Sequence, residues 1–334
     1  MEVPCVRVPR EAGEETRQTL DSLGVLDRDL EIAREGESLY IPVTDSTALP
    51  PYYEIVRHEV ESREGQVMPA DVLGYEPSYE RLGEIVIVHE DDADRAEAIA
   101  EAIMSSDLKA KTVINRASPI QGEQRVREWD VLRGTDTETV HREYGCEFLL
   151  DVTEVYFSPR LATERHRVIQ QVEAGERVFD MFAGVGPFAI PMAKRGAMVI
   201  AVDINERATT YLEENARRNG VEEDITVLTG DVREVAREYE DWADRILMNL
   251  PHSADAFLGT AVSLAGDDCL LHYYDIQHED DPYGPGEAAV RQAAGDQYAV
   301  DIQTRRTVRS YAPHELNVCI DARLTRRGRV NRNS

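Results

Sequence analysis

Two aspartates and a pair of glycines fall where a small ligand carrying an amino group could be held. Asp180 lies near the start, and Asp203 near the end, of RVFDMFAGVGPFAIPMAKRGAMVIAVDIN (residues 177–205). Between them Gly184 and Gly186 let the backbone approach a ligand closely. The spacing is Gly-x-Gly, and Ile190 and Pro191 fill the place of a third glycine of a dinucleotide fingerprint. Asp180 would repel a pyrophosphate and attract an amino group. The loop therefore favours S-adenosylmethionine over a nicotinamide cofactor, with Phe182, Gly184 and Gly186 against it and Asp203 on the ribose hydroxyls. The plainer alternative is a structural turn of an unrelated α/β domain.

Two further clusters add chemistry. Asn249-Leu250-Pro251-His252 ends an apolar run. Asparagine offers both a donor and an acceptor, enough to grip an amide-like base edge, and Pro251 stiffens the turn. Asn-x-Pro at that place favours methylation at a planar nitrogen over a simple loop stop. Upstream, in Tyr156-Phe157-Ser158-Pro159-Arg160-Leu161-Ala162-Thr163-Glu164-Arg165, Arg160 and Glu164 stand i,i+4 on one helical face. On local grounds that pair reads as a surface ion pair worth ~0.3 kcal/mol.

These residues need a particular scaffold. Val178 and Phe179 form a buried strand, residues 187–195 a helix, and residues 198–202 a strand covered on both faces. A helix over 206–218, the strand ITVLTGD ending at Asp231, and the strand RILMNLP follow. The late strands CLLHYYD and ELNVCIDARL suit an antiparallel edge hairpin. Ser158 and Pro159 suit a helix start. The fold class expected is α/β: a C-terminal Rossmann-like methyltransferase domain (153–334) with small N-terminal (1–56) and middle (70–152) α/β units. Pro50, Pro51 and the charged HEVESREG stretch mark the linker over 57–69.

The chain has 334 residues, a net charge of -27 and a pI near 4.7. Lys109, Lys111 and Lys194 are its only lysines among 37 basic residues. A surface acidic and arginine-using to this degree is expected of a halophile's protein, because at ~1 M salt the Debye length is roughly 3 Å and self-repulsion is screened. Cys5, Cys146, Cys269 and Cys319 lack metal-ligand spacing. With no apolar run near the ~20 residues of a membrane span and no signal peptide, a cytoplasmic monomer without metal is expected.

The blocks in order (Cys5 to Val43, SYERLGEIVIV, QRVREWDVLRGTDTETVHREYGC, VYFSPRLATER, DMFAGVGPF, MNLPH and RSYAPHELNV) resemble the archaeal tRNA (guanine-N1)-methyltransferases. These act at nucleotide 37, beside the anticodon. The resemblance implies Glu164 as general base at guanine N1, Arg125 at guanine O6 with Arg127 as the alternative register, and Asn249 holding the base. Tyr156 and Arg160 are implied as neighbours. Arg165, Asp203, Ile204, Asp231, Val232 and Asn249 are implied to contact S-adenosylmethionine, with Pro251 beside them. tRNA is the implied partner, its elbow read by the N-terminal domain and its anticodon arm gripped by the middle domain.

Guanine N1 is protonated and a poor nucleophile, so a carboxylate in reach and a guanidinium on O6 are the groups the reaction needs. Eight arginines over 305–332, and Lys109, Lys111, Arg116, Arg125, Arg127 and Arg133, are the expected tRNA backbone contacts. The alternatives are an aminocarboxypropyl transferase of the wyosine pathway, a guanine exocyclic-amine RNA methyltransferase, and a non-enzymatic RNA-binding module that senses the cofactor.

Overall fold

The computed structural model describes residues 2–46, 49–50, 53–62, 65–117 and 128–328. The chain forms two compact units, Met1–Val72 and Leu73–Ser334.

In the first unit, β1 (Glu2–Pro9) precedes α1 (Gly13–Ser22), β2 (Ala33–Glu35), β3 (Ser38–Pro42) and β4 (Glu54–Glu59). The strands form an antiparallel sheet in the order β2-β3-β1-β4. Val6, Val8, Leu20, Val25, Ile41 and Val43 make one core cluster, and Cys5, Leu30 and Val60 a second. The unit does not close at residue 56. β4 pairs with β1 as far as Glu59, and Leu30 bridges to Ser62, inside the expected linker. β4 is an edge strand with exposed charges, so its sequence lacks the buried alternation that would reveal it.

The second unit opens with α2 (Pro69–Leu73) at its boundary. β5 (Tyr79–Leu82), β6 (Ile85–Val88), α3 (Ala93–Ser105), β7 (Thr112–Arg116) and β8 (Trp129–Arg133) follow. The segment SYERLGEIVIVHE supplies two strands, β5 and β6. Gly83, at φ +59°, turns the chain between β5 and β6, and a Cβ there would meet the carbonyl of Val140 at 2.5 Å. The sheet runs β5-β6-β7-β8, and Asp92 caps α3 by accepting the Arg95 N–H. β9 (Glu138–Glu143), which the sequence reading missed, makes a hairpin with β10 (Cys146–Asp151).

A 3₁₀ turn (Pro159–Leu161) leads into α4 (Ala162–Ile169); Ser158 makes no side-chain cap. Then come β11 (Arg177–Asp180), α5 (Ala189–Lys194), β12 (Met198–Asp203), α6 (Glu206–Asn219), β13 (Ile225–Thr229), α7 (Val232–Val235) and β14 (Ala243–Met248). α8 (Leu258–Leu264), β15 (Ala265–His278), α9 (Gly284–Ala294), β16 (Tyr298–Ala312) and β17 (Glu315–Arg326) complete the fold. The seven-stranded order is β13-β12-β11-β14-β15-β17-β16. The strands from β13 to β15 run parallel, while β17 is antiparallel to both β15 and β16. The edge hairpin is therefore β16–β17, and β15, taken from sequence as half of that hairpin, extends the parallel part. β16 escaped notice because its outward positions, including Asp301, Gln303 and Arg305, interrupt the apolar pattern.

Candidate active site

The site gathers at the carboxyl ends of β11, β12 and β14, where open α/β sheets place ligands. β11 delivers Asp180 into the glycine loop. Gly184 and Gly186 adopt φ +54° and +92°, and a Cβ at Gly186 would press on Ile190 at 2.8 Å. Asp203, at the end of β12, accepts the Gly184 N–H at 2.7 Å and the Asn205 N–H at 2.9 Å. The loop is thus shaped by the carboxylate that would face a ribose. Ile204 beside it is 43% exposed, an apolar surface that a planar base could cover.

Asp180 is fully buried; its Oδ1 accepts weakly from the Phe182 N–H at 3.4 Å, and its Oδ2 has no hydrogen-bond partner. Burial, with the Asp203 charge adding to it, raises its pKa to about 7. An unpartnered carboxylate oxygen in this cradle fits the amino group of S-adenosylmethionine, so the residues present fit the cofactor. Asp231 caps α7 by accepting the Arg233 N–H and is ion-paired to the Arg233 guanidinium; Val232 is buried behind it. Phe182 meets Phe257 edge-on at 5.1 Å.

Asn249 follows Met248, whose parallel partner is Tyr273. The next residue of β15, Tyr274, donates its hydroxyl to Glu164 Oε1 at 3.0 Å. Pro251 is buried at the same turn. Tyr274 also approaches Phe188 of the glycine loop, ring centroids 6.3 Å apart. A Cβ on Gly184 would lie 3.9 Å from the Tyr156 carbonyl. Glu164, Asn249, Tyr156 and the loop thus share one end of the sheet.

Glu164 is only 4% exposed. Arg167 donates to it twice, Nε to Oε2 at 3.0 Å and Nη2 to Oε1 at 2.7 Å. The same guanidinium donates to Asp321 Oδ2 at 2.6 Å. Asp321 in turn accepts from His272 Nδ1 at 2.6 Å, and Arg245 Nη1 lies 2.7 Å from His272 Nε2. Since arginine can only donate, His272 carries its proton on Nδ1. Burial works to raise the Asp321 pKa, but the bonds from His272 and Arg167 outweigh it and hold the carboxyl well below the usual range. Nothing in the sequence pattern singled out Arg167, Tyr274, His272 or Asp321; they lie on α4, β15 and β17 and meet only in the fold.

Arg160 pairs with Glu80 and not with Glu164. Glu80 lies on β5 and also accepts from Arg116 at 3.0 Å, so Arg160 ties the start of α4 to the middle sheet. Arg165, 2% exposed, is held by Glu143 and by the Ser158 carbonyl at 3.0 Å, and its guanidinium lies 5.0 Å over Phe157. Its guanidinium anchors α4 to β9. Arg125 and Arg127 lie outside the described residues. The basic stretches are also locally balanced: Lys111 pairs with Glu84, Arg133 with Glu97, Arg305 with Glu287 and Arg323 with Asp268.

Asn215 is another residue the sequence reading missed. Fully buried on α6, it accepts the Leu149 N–H at 2.6 Å and donates to the carbonyls of Leu149 at 2.9 Å and Val185 at 3.1 Å. It pins the glycine loop to the β9–β10 hairpin.

The strand order, the glycine loop and the acid ending β12 define an S-adenosylmethionine-dependent methyltransferase domain. Comparison with known proteins then places the chain. Residues 139–300 match the TRM5/TYW2 methyltransferase domain, residues 5–48 the tRNA methyltransferase 5 N-terminal domain, and residues 65–137 the TYW2 N-terminal domain. It is 41% identical over 335 residues to the Pyrococcus abyssi tRNA (guanine(37)-N(1))-methyltransferase Trm5b, covering 96% of this chain and 99% of that one. The chain belongs to the TRM5/TYW2 family of tRNA methyltransferases.

The crystal structure of the Pyrococcus abyssi Trm5b superposes with a TM-score of 0.69 at 40% identity, covering 97% of this chain and 99% of that one. A complex of aTrm5 with tRNALeu gives 0.70 at 31% identity, over 96% and 99%. The Methanocaldococcus jannaschii tRNA(Phe) (4-demethylwyosine(37)-C(7)) aminocarboxypropyltransferase is 34% identical over 251 residues, which is 74% of this chain and 98% of that protein. Its match thus leaves about a quarter of the present chain uncovered.

Proposed function

We propose that this protein transfers a methyl group from S-adenosylmethionine to N1 of guanosine 37 of tRNA. The observation that carries the reading is a buried carboxylate, Glu164, bonded by Tyr274 of the strand that pairs with β14, at the end of the sheet that holds a loop that fits the cofactor. Its setting is a chain that matches a guanine(37)-N(1)-methyltransferase end to end. The unit matched by the tRNA methyltransferase 5 N-terminal model favours this activity over aminocarboxypropyl transfer.

S-adenosylmethionine, when bound, supplies an electrophilic methyl on a sulfonium. Asp180 would take its amino group, Asp203 its ribose hydroxyls, and Ile204 and Val232 the adenine faces, with Asp231 beside them. Glu164 accepts the N1 proton, leaving negative charge shared by N1 and O6. Arg125 is the residue the family resemblance places on O6, and Asn249 would hold the base edge. Arg167 and Tyr274 keep the carboxylate pointed at the acceptor. The purine leaves its stack to reach this pocket.

The N-terminal unit would read the tRNA elbow and the middle sheet would grip the anticodon arm. Because Lys111, Arg133, Arg305 and Arg323 are paired with local acids, shape and hydrogen bonding carry more of the affinity than phosphate charge. We infer a cytoplasmic, monomeric protein of a salt-accumulating cell; no helix among the described residues is long and apolar enough to cross a membrane. The test is a methylation assay in molar KCl on transcripts with guanine or adenine at position 37, with the methylated atom mapped by mass spectrometry. Methylation at guanine N1 is expected; Glu164→Gln should lower the single-turnover rate by about 100-fold or more.

A further inference from the structure

Two arginines touch Glu164, and they differ in how firmly they are held. Arg167 on α4 is locked by Asp321 as well as by Glu164. Arg306 on β16 is 42% exposed, and its Nε lies 2.9 Å from Glu164 Oε2. That N–H is not directed at the oxygen and finds no acceptor. Two other buried polar atoms nearby share this condition. Arg309 Nε and Asn317 Oδ1 have no partner, and Asn317 is 3% exposed. Arg306 pairs in register with Cys319, and Arg309 with Asn317, two residues apart on β17 and so on the same face. Buried polar atoms without partners are uncommon, so three on one strip of the hairpin point to a face that receives a polar ligand.

We propose that Arg306 reads the O6 side of the target guanine and, in doing so, releases the base. Glu164 Oε2 is an acceptor and the Arg306 guanidinium a donor, side by side. Guanine presents N1–H and O6 side by side in the opposite sense; adenine presents a bare N1 and an amino group, and would meet both contacts reversed. This inference rests on the guanine-N1 reading above. O6 has two lone pairs, so Arg306 and the arginine placed there by family resemblance can both donate.

The sequence is then as follows. In the free enzyme Arg306 sits on Glu164. When O6 arrives the guanidinium moves to it and leaves Oε2 open to the N1–H. The N1–H bond breaks, an Oε2–H bond forms, and the electron pair stays on N1 with charge spread to O6, where Arg306 now lies. The groups facing Glu164 from each packed element are Arg167 from α4, Tyr274 from β15, Arg306 from β16, and Cys319 and Asp321 of β17 behind Arg167.

The experiment is single-turnover methyl transfer by the full-length enzyme across pH, on transcripts with guanosine or inosine at position 37. Wild type, Arg306→Ala, Arg306→Lys and Glu164→Gln are compared. Arg306→Ala should slow transfer about 100-fold with tRNA affinity changed by less than about threefold. Arg306→Lys should recover part of the rate. Inosine keeps O6 and N1–H but lacks the amino group, so it should show the same Arg306→Ala loss. Weakened tRNA binding with unchanged transfer would make Arg306 a phosphate contact and overturn the proposal. A rate loss that vanishes on inosine would overturn it too. Wild-type transfer by Glu164→Gln would instead sink the base assignment itself.

Discussion

Arg167 joins Glu164 to Asp321, donating to both carboxylates from one guanidinium with Nη atoms 2.7 Å from the first and 2.6 Å from the second. Both acids are buried, so neither charge has solvent to fall back on. Removing one partner of a buried pair leaves an uncompensated charge, at a cost of about 3–5 kcal/mol. Arg167→Ala should therefore unfold at lower denaturant by about that amount and lose methyl transfer. Arg167→Lys keeps a charge but not the two-sided fork, and should retain fold better than rate. Urea unfolding in high salt, alongside single-turnover assays, checks both.

Asp180 predicts a pH-dependent cofactor affinity. Its folded pKa of about 7 lies above the ordinary value, so between roughly pH 4 and 7 the folded state holds a proton the unfolded state has lost. Stability of the ligand-free protein therefore falls as pH rises through that window. A cationic amino group on Oδ2 favours the ionised form, so binding releases the proton. S-adenosylmethionine affinity should rise roughly tenfold from pH 6 to 8. Calorimetric titration in buffers of different ionisation enthalpy would show the released proton. Asp180→Asn should bind more weakly and flatten the pH dependence; an unchanged slope would remove Asp180 from the cofactor site.

Asn215 bonds three backbone groups of two segments that the chain supplies far apart, Leu149 on β10 and Val185 in the glycine loop. Asn215→Leu strands those groups in the interior, at about 1–3 kcal/mol each before relaxation. The expected outcome is a melting temperature several degrees lower and weakened cofactor binding. Thermal melts with and without S-adenosylmethionine would separate the two, since a purely global loss would leave the ligand-induced shift unchanged.

The net charge of -27 should make stability salt-dependent. Raising KCl from about 0.1 to 1 M shortens the Debye length from roughly 10 to 3 Å and screens repulsion among unpaired surface acids. The melting temperature should rise across that range. A flat or falling curve would reject adaptation to molar salt as the reason for the acidity.

Much of this fold was legible because its central strands are buried on both faces and read as apolar runs. The β11–loop–α5–β12 unit and Asp203 could be placed from residue types alone, as could the end of β14 at Asn249. Edge elements were not legible. β4 and β16 carry charges on their solvent sides, and β9 has too few apolar residues to stand out. Arg160 and Glu164 show the limit of local spacing. Their i,i+4 relation suited a pair, yet Arg160 lies in a 3₁₀ turn and pairs with Glu80 of β5, while Glu164 lies in α4 and pairs with Arg167 of the same helix and Arg306 of β16.

By itself the sequence determined the order of the strands and helices around the loop, the acids that would face a cofactor, and the identity of the candidate base. Only the tertiary structure decided what surrounds that base. Arg167, Tyr274, Arg306 and Asp321 come from α4, β15, β16 and β17, up to 157 positions from Glu164 by chain numbering (321 less 164). Spacing along a chain reports neighbours within one element, whereas the character of a buried carboxylate depends on every charge packed against it, and those are brought together by the pairing of β15, β17 and β16.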